Sequence, residues 1–305
     1  MEITYIPFEE GQKHLDWLAL TDALRRGHGL PKAEISDSFL YRSPDTLLSR
    51  AAWIDGLGLA VKSATVFPNN PAHDKPMING AVSLFSDQAG HLEALLDFHL
   101  VTKWKTAGDS LLAARCLARE DSRVILIIGA GTVGRSLREA YGTLFPEAAF
   151  LIWNRRQENA EKMAQGDERV TVATDLQASV QRADIITCAT MSSEPVLKGE
   201  WLQPGQHIDL IGAYRPDMRE ADDRALLRSR VFVDSRDTTL GHIGELKLPL
   251  EAGIISPAHI IADYYEMDQF KRHSDAEITL FKNGGGAHLD LMTSRYILDC
   301  WRERR

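Results

Sequence analysis

Between Ser122 and Ser235 short apolar runs alternate with polar, helix-forming stretches, and this rhythm constrains the fold more than any other feature of the chain. Strands that follow one another through helices in this way lie parallel and are joined by right-handed crossovers. The pattern predicts strands at Val124–Ile128, Phe150–Trp153, Val170–Ala173, Ile185–Ala189, His207–Ile211 and Val231–Asp234. Each is a continuous apolar run, as a sheet covered on both faces requires. The expected class is therefore α/β, with a doubly wound parallel sheet of Rossmann type.

Elsewhere the period changes. Leu15, Leu18 and Ala19 keep helical spacing between Gly11 and Arg26, and Gly27 and Gly29 supply a stop. Leu59–Val66 is rich in β-branched residues, and Val82–Phe85 and Leu92–Leu96 flank the turn signal Asp87-Gln-Ala-Gly90. This third predicts a meandering, mainly antiparallel sheet. From Gly241 an irregular stretch leads to a strand over Glu277–Phe281 and a helix from about Ala287 to Trp301.

Composition excludes several classes. Among 305 residues, 35 Lys and Arg against 43 Asp and Glu leave a net charge of −8, so no overall field draws the chain to nucleic acid or an anionic membrane. The apolar fraction of 44% with 26% charged residues is that of a soluble globule. The run Val124–Ile128 falls far short of the roughly 18 residues of a membrane span, and Met1-Glu-Ile-Thr-Tyr has no basic start and apolar stretch of a signal peptide. Three widely spaced cysteines, Cys116, Cys188 and Cys300, suit core packing in a reducing cytoplasm. His28, His73, His91, His99 and His242 show no metal spacing, so no metal is expected.

The run Gly129-Ala-Gly131-Thr132-Val133-Gly134 follows the first predicted strand directly and opens a helix. In that context the glycines meet three needs of a dinucleotide site: a tight turn, close approach of a pyrophosphate to the backbone, and close helix–strand packing. The helix N-terminus then holds the phosphates. An acid at the end of the second strand would bind the adenosine ribose and repel a 2′-phosphate. Here that place reads Asn154-Arg155-Arg156, a neutral amide followed by two guanidinium groups, which favours NADP(H) over NAD(H). The small residues Ala189 and Thr190, with Met191, end the fourth strand, where the topology puts the nicotinamide ribose.

Lys62 interrupts an otherwise apolar or small strand, where a lysine must reach water from a sheet edge, pair with a carboxylate, or be lowered in pKa. Taken with Tyr41-Arg42-Ser-Pro44, Val61–Asn70, Thr102–Ser110, the glycine run, Ile211–Glu220 and Glu277–Gly284, it gives a chain that resembles the ornithine cyclodeaminase/μ-crystallin family over almost its whole length. The resemblance implies a substrate-binding and dimerisation domain of α+β type, residues 1–112 with 286–305, interrupted by a dinucleotide-binding Rossmann domain, residues 113–285. It also implies a homodimer, and substrates that are amino acids or α-imino acids. Carried over, Arg42, Lys62 and Lys105 hold the substrate carboxylate, Lys62 stands nearest the reacting carbon, and Thr106 sits near the cofactor.

Two departures bear on the reaction. Lys105 stands where the family has arginine, exchanging a bidentate fork for a point charge. Tyr214 stands where cyclodeaminases have the aspartate that engages the substrate amine, which weakens the deaminating, cyclising reading. The expectation is reduction of a C=N bond beside a carboxylate, in Δ1-pyrroline-2-carboxylate, Δ1-piperideine-2-carboxylate or an open-chain imine. The alternatives are a cyclodeaminase-type lyase, an amino-acid dehydrogenase and a crystallin-like protein that binds NADPH without turnover. Asn79 and His288 are further candidate substrate contacts; Asp290, to which a family aspartate corresponds, lies on the same helix as His288 but two residues on, so the two do not face each other.

Overall fold

A computed structural model describes residues 3–303. The chain divides into two compact units, Met1–Lys105 with Gly285–Arg305, and Thr106–Gly284. The class is α/β.

The discontinuous unit is built on a six-stranded sheet. Its strands are β1 (Thr4–Ile6), β2 (Glu34–Arg42), β3 (Asp45–Ile54), β4 (Gly58–Val66), β5 (Ile78–Phe85) and β6 (Leu92–Asp97), in the order β1-β6-β5-β4-β3-β2. All neighbours are antiparallel except β1 with β6. The meander was legible from β4 onward, but β2 and β3 were not. Ser36, Asp37, Ser38, Ser49 and Arg50 break the apolar alternation there, and β2 is exposed along nearly its whole length. The predicted first helix is two helices: Phe8–Gln12 ends at its C-cap Lys13, and Asp16 caps a new start at Trp17–His28 by accepting the Ala19 N–H at 2.8 Å. Helix Ala287–Arg302 packs on β3 and β4 and against Trp17–His28, and Gly27 admits the Met292 side chain where the helices meet.

The contiguous unit carries an eight-stranded sheet, all parallel. Its strands are β7 (Val124–Ile128), β8 (Ala149–Trp153), β9 (Val170–Val172), β10 (Ile185–Cys188), β11 (His207–Leu210), β12 (Arg230–Val233), β13 (Ile260–Ala262) and β14 (Thr279–Lys282), in the order β13-β12-β14-β11-β10-β7-β8-β9. The six expected strands stand within a residue of their predicted ends. Chain order runs outward from β7 through β8 and β9 on one side and resumes at β10 on the other, so a switch point lies between β7 and β10. In such a sheet ligands bind outside the carboxyl ends at that point. A buried carboxylate ties the layers together: Asp209 on β11 accepts from Ser110 Oγ at 2.9 Å, Thr187 Oγ1 at 2.7 Å and Tyr141 Oη at 3.3 Å. No described helix is long and apolar enough to cross a membrane.

Candidate functional site

Side chains on one face of a strand alternate with those on the other. In β4 the buried face carries Gly58, Ala60, Lys62 and Ala64. The small residues on either side leave room for the lysine beneath helix Ala287–Arg302. β4 is flanked by β3 and β5, so the edge-strand reading of Lys62 does not hold. Its ammonium donates to Thr102 Oγ1 at 2.9 Å and Asp290 Oδ1 at 3.0 Å, using two of its three N–H donors, and lies 4.7 Å from the centre of the Phe98 ring. Lys105 Nζ is 3.6 Å from the same carboxylate oxygen and donates to the Gly285 carbonyl at 2.9 Å.

Arg50, which the sequence did not single out, joins this cluster. It stands opposite Lys62 in the β3–β4 register and donates to the same Gly285 carbonyl at 2.8 Å, while its other nitrogens pair with Asp37. Its place beside Lys62 could have been found only by pairing two strands of which one was not recognised. Three cations thus face Asp290 and, at the outer side, Asp37. Burial lowers the Lys62 pKa to about 8; Asp290 draws it up, and Lys105 and Arg50 draw it down. Burial pushes the Asp290 carboxyl up, but Lys105, Lys62 and Arg50 outweigh it and hold it below its ordinary value.

The other residues expected in this unit lie differently. Arg42 does not join the cluster: its side chain is 80% exposed, pairs with Asp45 at 2.6 Å and lies 5.7 Å from the Phe67 ring centre. Asn79 is exposed at the start of β5 and donates to the Pro76 carbonyl at 3.1 Å. His288 is fully buried, edge-on to His28 with ring centres 5.3 Å apart, and burial followed by the nearby His28, Lys105 and Arg50 keeps its pKa well below the usual range.

In the contiguous unit the glycine run has the shape a dinucleotide needs. Gly129 takes φ +117°, a region open to glycine, and an ideal Cβ there would stand 2.6 Å from the Ala189 carbonyl oxygen. A Cβ at Gly134 would overlap the Gly129 carbonyl, whereas at Gly131 it would meet open space. Helix Thr132–Leu144 starts at Gly131 without a side-chain cap, and Gly131 and Thr132 are exposed. Its first N–H groups, with Val133 beside them, are therefore left without a side-chain cap at an exposed helix start. Asn154, at the end of β8, braces this turn: its Oδ1 accepts the Ala130 N–H at 3.1 Å and its Nδ2 donates to the Arg156 carbonyl at 2.9 Å. Arg155 and Arg156 are exposed beside it. Thr106, at the boundary of the unit, accepts through its carbonyl from Asn283 Nδ2 at 3.1 Å.

Beyond β10, Ala189 continues the ladder to Ile128, Thr190 is half-buried and Met191 is 70% exposed. A buried acid not singled out beforehand, Glu220, reaches these residues. Its Oε1 accepts from Thr190 N–H at 2.7 Å and Thr190 Oγ1 at 2.8 Å, and its Oε2 from Gly212 N–H at 2.6 Å and Ala213 N–H at 3.1 Å. Burial pushes this carboxyl up to about 8; Lys282 draws it down, Glu245 draws it up and the Thr190 donors favour the charged form.

The model of the ornithine cyclodeaminase/mu-crystallin family matches residues 54–305. The chain belongs to this family. It is 46% identical over 301 residues to Delta(1)-pyrroline-2-carboxylate reductase of Paracoccus denitrificans (strain Pd 1222), covering 96% of this chain and 95% of the relative. Ketimine reductase mu-crystallin of Mus musculus is 35% identical, over 80% of this chain and 76% of that protein. Among solved structures, Thermococcus litoralis Delta(1)-pyrroline-2-carboxylate reductase in complex with NADH and L-proline superposes with a TM-score of 0.89 at 25% identity, covering 99% and 98% of the two chains.

Proposed function

We propose that the chain reduces the C=N bond of a small α-imino acid, Δ1-pyrroline-2-carboxylate or Δ1-piperideine-2-carboxylate first, to the corresponding amino acid, with NADPH as the preferred reductant. The observation that carries this reading is the cluster of buried Lys62 and Lys105 on Asp290, with half-buried Arg50 sharing the Gly285 carbonyl with Lys105. Three cations against Asp290 and the outer Asp37 leave a local excess of one positive charge, which a substrate carboxylate neutralises. The 46% identical relative and the 25% identical structure, both named as pyrroline-2-carboxylate reductases, support the same chemistry.

In this reading Arg50 and Lys105 hold the substrate carboxylate, which orients the imine carbon. Lys62 carries a proton at Nζ at neutral pH, since its pKa lies near 8, and Asp290 and Thr102 fix the direction of that ammonium. Its remaining N–H is the proton source for the imine nitrogen. The reduced nicotinamide, when bound, supplies the hydride to the imine carbon. Gly129, Gly131, Thr132, Val133 and Gly134 receive the pyrophosphate, and Ala189, Thr190 and Met191 border the nicotinamide ribose. Asn154 is neutral and committed to the turn, so Arg155 or Arg156 is left to bind a 2′-phosphate. The exposed edge strand β2, with Phe39, Leu40 and Tyr41 on its surface, supports a homodimer.

The test is a screen of cyclic imines, and of keto acids with ammonia, with both reduced nucleotides, monitored by loss of nicotinamide absorbance. Stoichiometric NADPH oxidation by a cyclic imine is expected, with the preference for NADPH reduced in Arg155→Ala or Arg156→Ala. Ammonia released from ornithine at constant absorbance would identify a lyase instead. An unchanged nucleotide preference in both arginine variants would remove them from the phosphate site.

A further inference from the structure

Glu220 lies outside the turns that carry the dinucleotide motif, yet its carboxylate joins two of the strand ends that border the site. Oε1 takes both donors of Thr190, after β10, and Oε2 takes two successive N–H groups, Gly212 and Ala213, after β11. A Cβ at Gly212 would overlap the Thr190 backbone, so the two strand ends touch with no side chain between them. Glu220 is itself held: Glu245 accepts the Glu220 N–H at 2.7 Å and the Ala221 N–H at 3.1 Å, and both acids are fully buried. The counter-charge is Lys282, also fully buried, which donates to the carbonyls of Leu210 at 2.8 Å and Asn283 at 2.7 Å.

We propose that Glu220 is a positioning residue for the nicotinamide end of the cofactor site, its two carboxylate oxygens fixing the loops after β10 and β11 in register so that Ala189–Met191 present one backbone surface to the nicotinamide ribose. This rests on the dinucleotide reading given above. The clamp needs an acceptor at both oxygens. Glutamine places an NH2 donor against N–H donors in either orientation of the amide, so one loop is released whichever way it turns.

The experiment uses the full chain with Glu220→Gln and the milder Thr190→Val, which removes only the hydroxyl arm. Binding is measured by titration calorimetry for the reduced dinucleotide that the wild type binds more tightly, and for its adenosine half alone: NADPH with adenosine 2′,5′-bisphosphate, or NADH with AMP. Leaving a buried N–H donor unpaired predicts at least about tenfold weaker binding of the dinucleotide to Glu220→Gln, with a parallel rise in its KM, while the adenosine half binds as before. Thr190→Val moves the same way by a smaller factor, and it decides the matter alone if Glu220→Gln does not fold. Equal weakening of both ligands, or unchanged dinucleotide binding in a folded variant, overturns the clamp. A wild type that binds neither NADPH nor NADH fails earlier, and takes down the dinucleotide reading with the inference.

Discussion

The two units build their candidate sites by opposite means. The contiguous unit offers backbone: a glycine turn, the open start of a helix and the ends of parallel strands. The discontinuous unit offers side chains, gathered from positions 50, 62, 102, 105 and 290 onto one buried carboxylate and one carbonyl. A backbone site depends on the absence of Cβ atoms, whereas a side-chain site depends on mutual charge. The first therefore fails on adding a methyl group, the second on removing a charge.

The sharpest way to break this contrast is Lys62→Met. With the proton source gone, kcat/KM falls by about a thousandfold or more, while nucleotide binding in calorimetry stays within a factor of about two of wild type, since the contiguous unit is untouched. Turnover that survives would remove Lys62 from the chemistry. The converse change is Gly134→Ala. Its methyl group meets the Gly129 carbonyl, and overpacking of about 1–3 kcal/mol weakens nucleotide binding while leaving the imino-acid site intact. Nucleotide affinity equal to wild type would show that the turn yields more easily than its geometry implies.

A finer cut separates two arginines of the discontinuous unit. Arg50→Met is expected to raise KM for the imino acid by about tenfold, the value of one charged hydrogen bond, and Arg42→Met to leave it nearly unchanged, because Arg42 is exposed and paired with Asp45. A large effect at Arg42 with none at Arg50 would reverse the assignment. The smallest effect is one of pH. The proposed mechanism needs Lys62 protonated, so kcat/KM is expected to fall as pH rises through about 8. Asp290 raises that pKa and Lys105 lowers it, so Asp290→Asn moves the alkaline limb to lower pH and Lys105→Met moves it to higher pH. Shifts of the same sign in both variants would show that another group sets the limb.

The contrast also explains what could be read from the chain beforehand. The glycine turn, the strand ends and Asn154-Arg155-Arg156 are local in sequence, and the parallel sheet writes most of its strands as short, largely apolar runs, so these stood out, while the three-residue β13 did not. Lys62 was visible as a cation in a small-residue strand, and Lys105 only through family resemblance. Arg50 was hidden because β2 and β3 are largely polar, and a residue's place beside Lys62 is a property of register rather than of spacing. Glu220 was hidden for a related reason: it serves two strand ends that are separated from each other by 22 residues or more of chain and meet only when β10 and β11 pair.

The division of the chain has a consequence for assembly of the fold. The contiguous unit, Thr106–Gly284, is one uninterrupted stretch of chain, so its parallel sheet can form without the helix that follows it. The other unit cannot do so, because Gly285 and Asp290 come late in the chain and Lys62, Lys105 and Arg50 are without their shared anchors until helix Ala287–Arg302 arrives. Without that helix the cations of the discontinuous unit repel one another with no common anchor, and helix Ala287–Arg302 acts as the latch that draws them together.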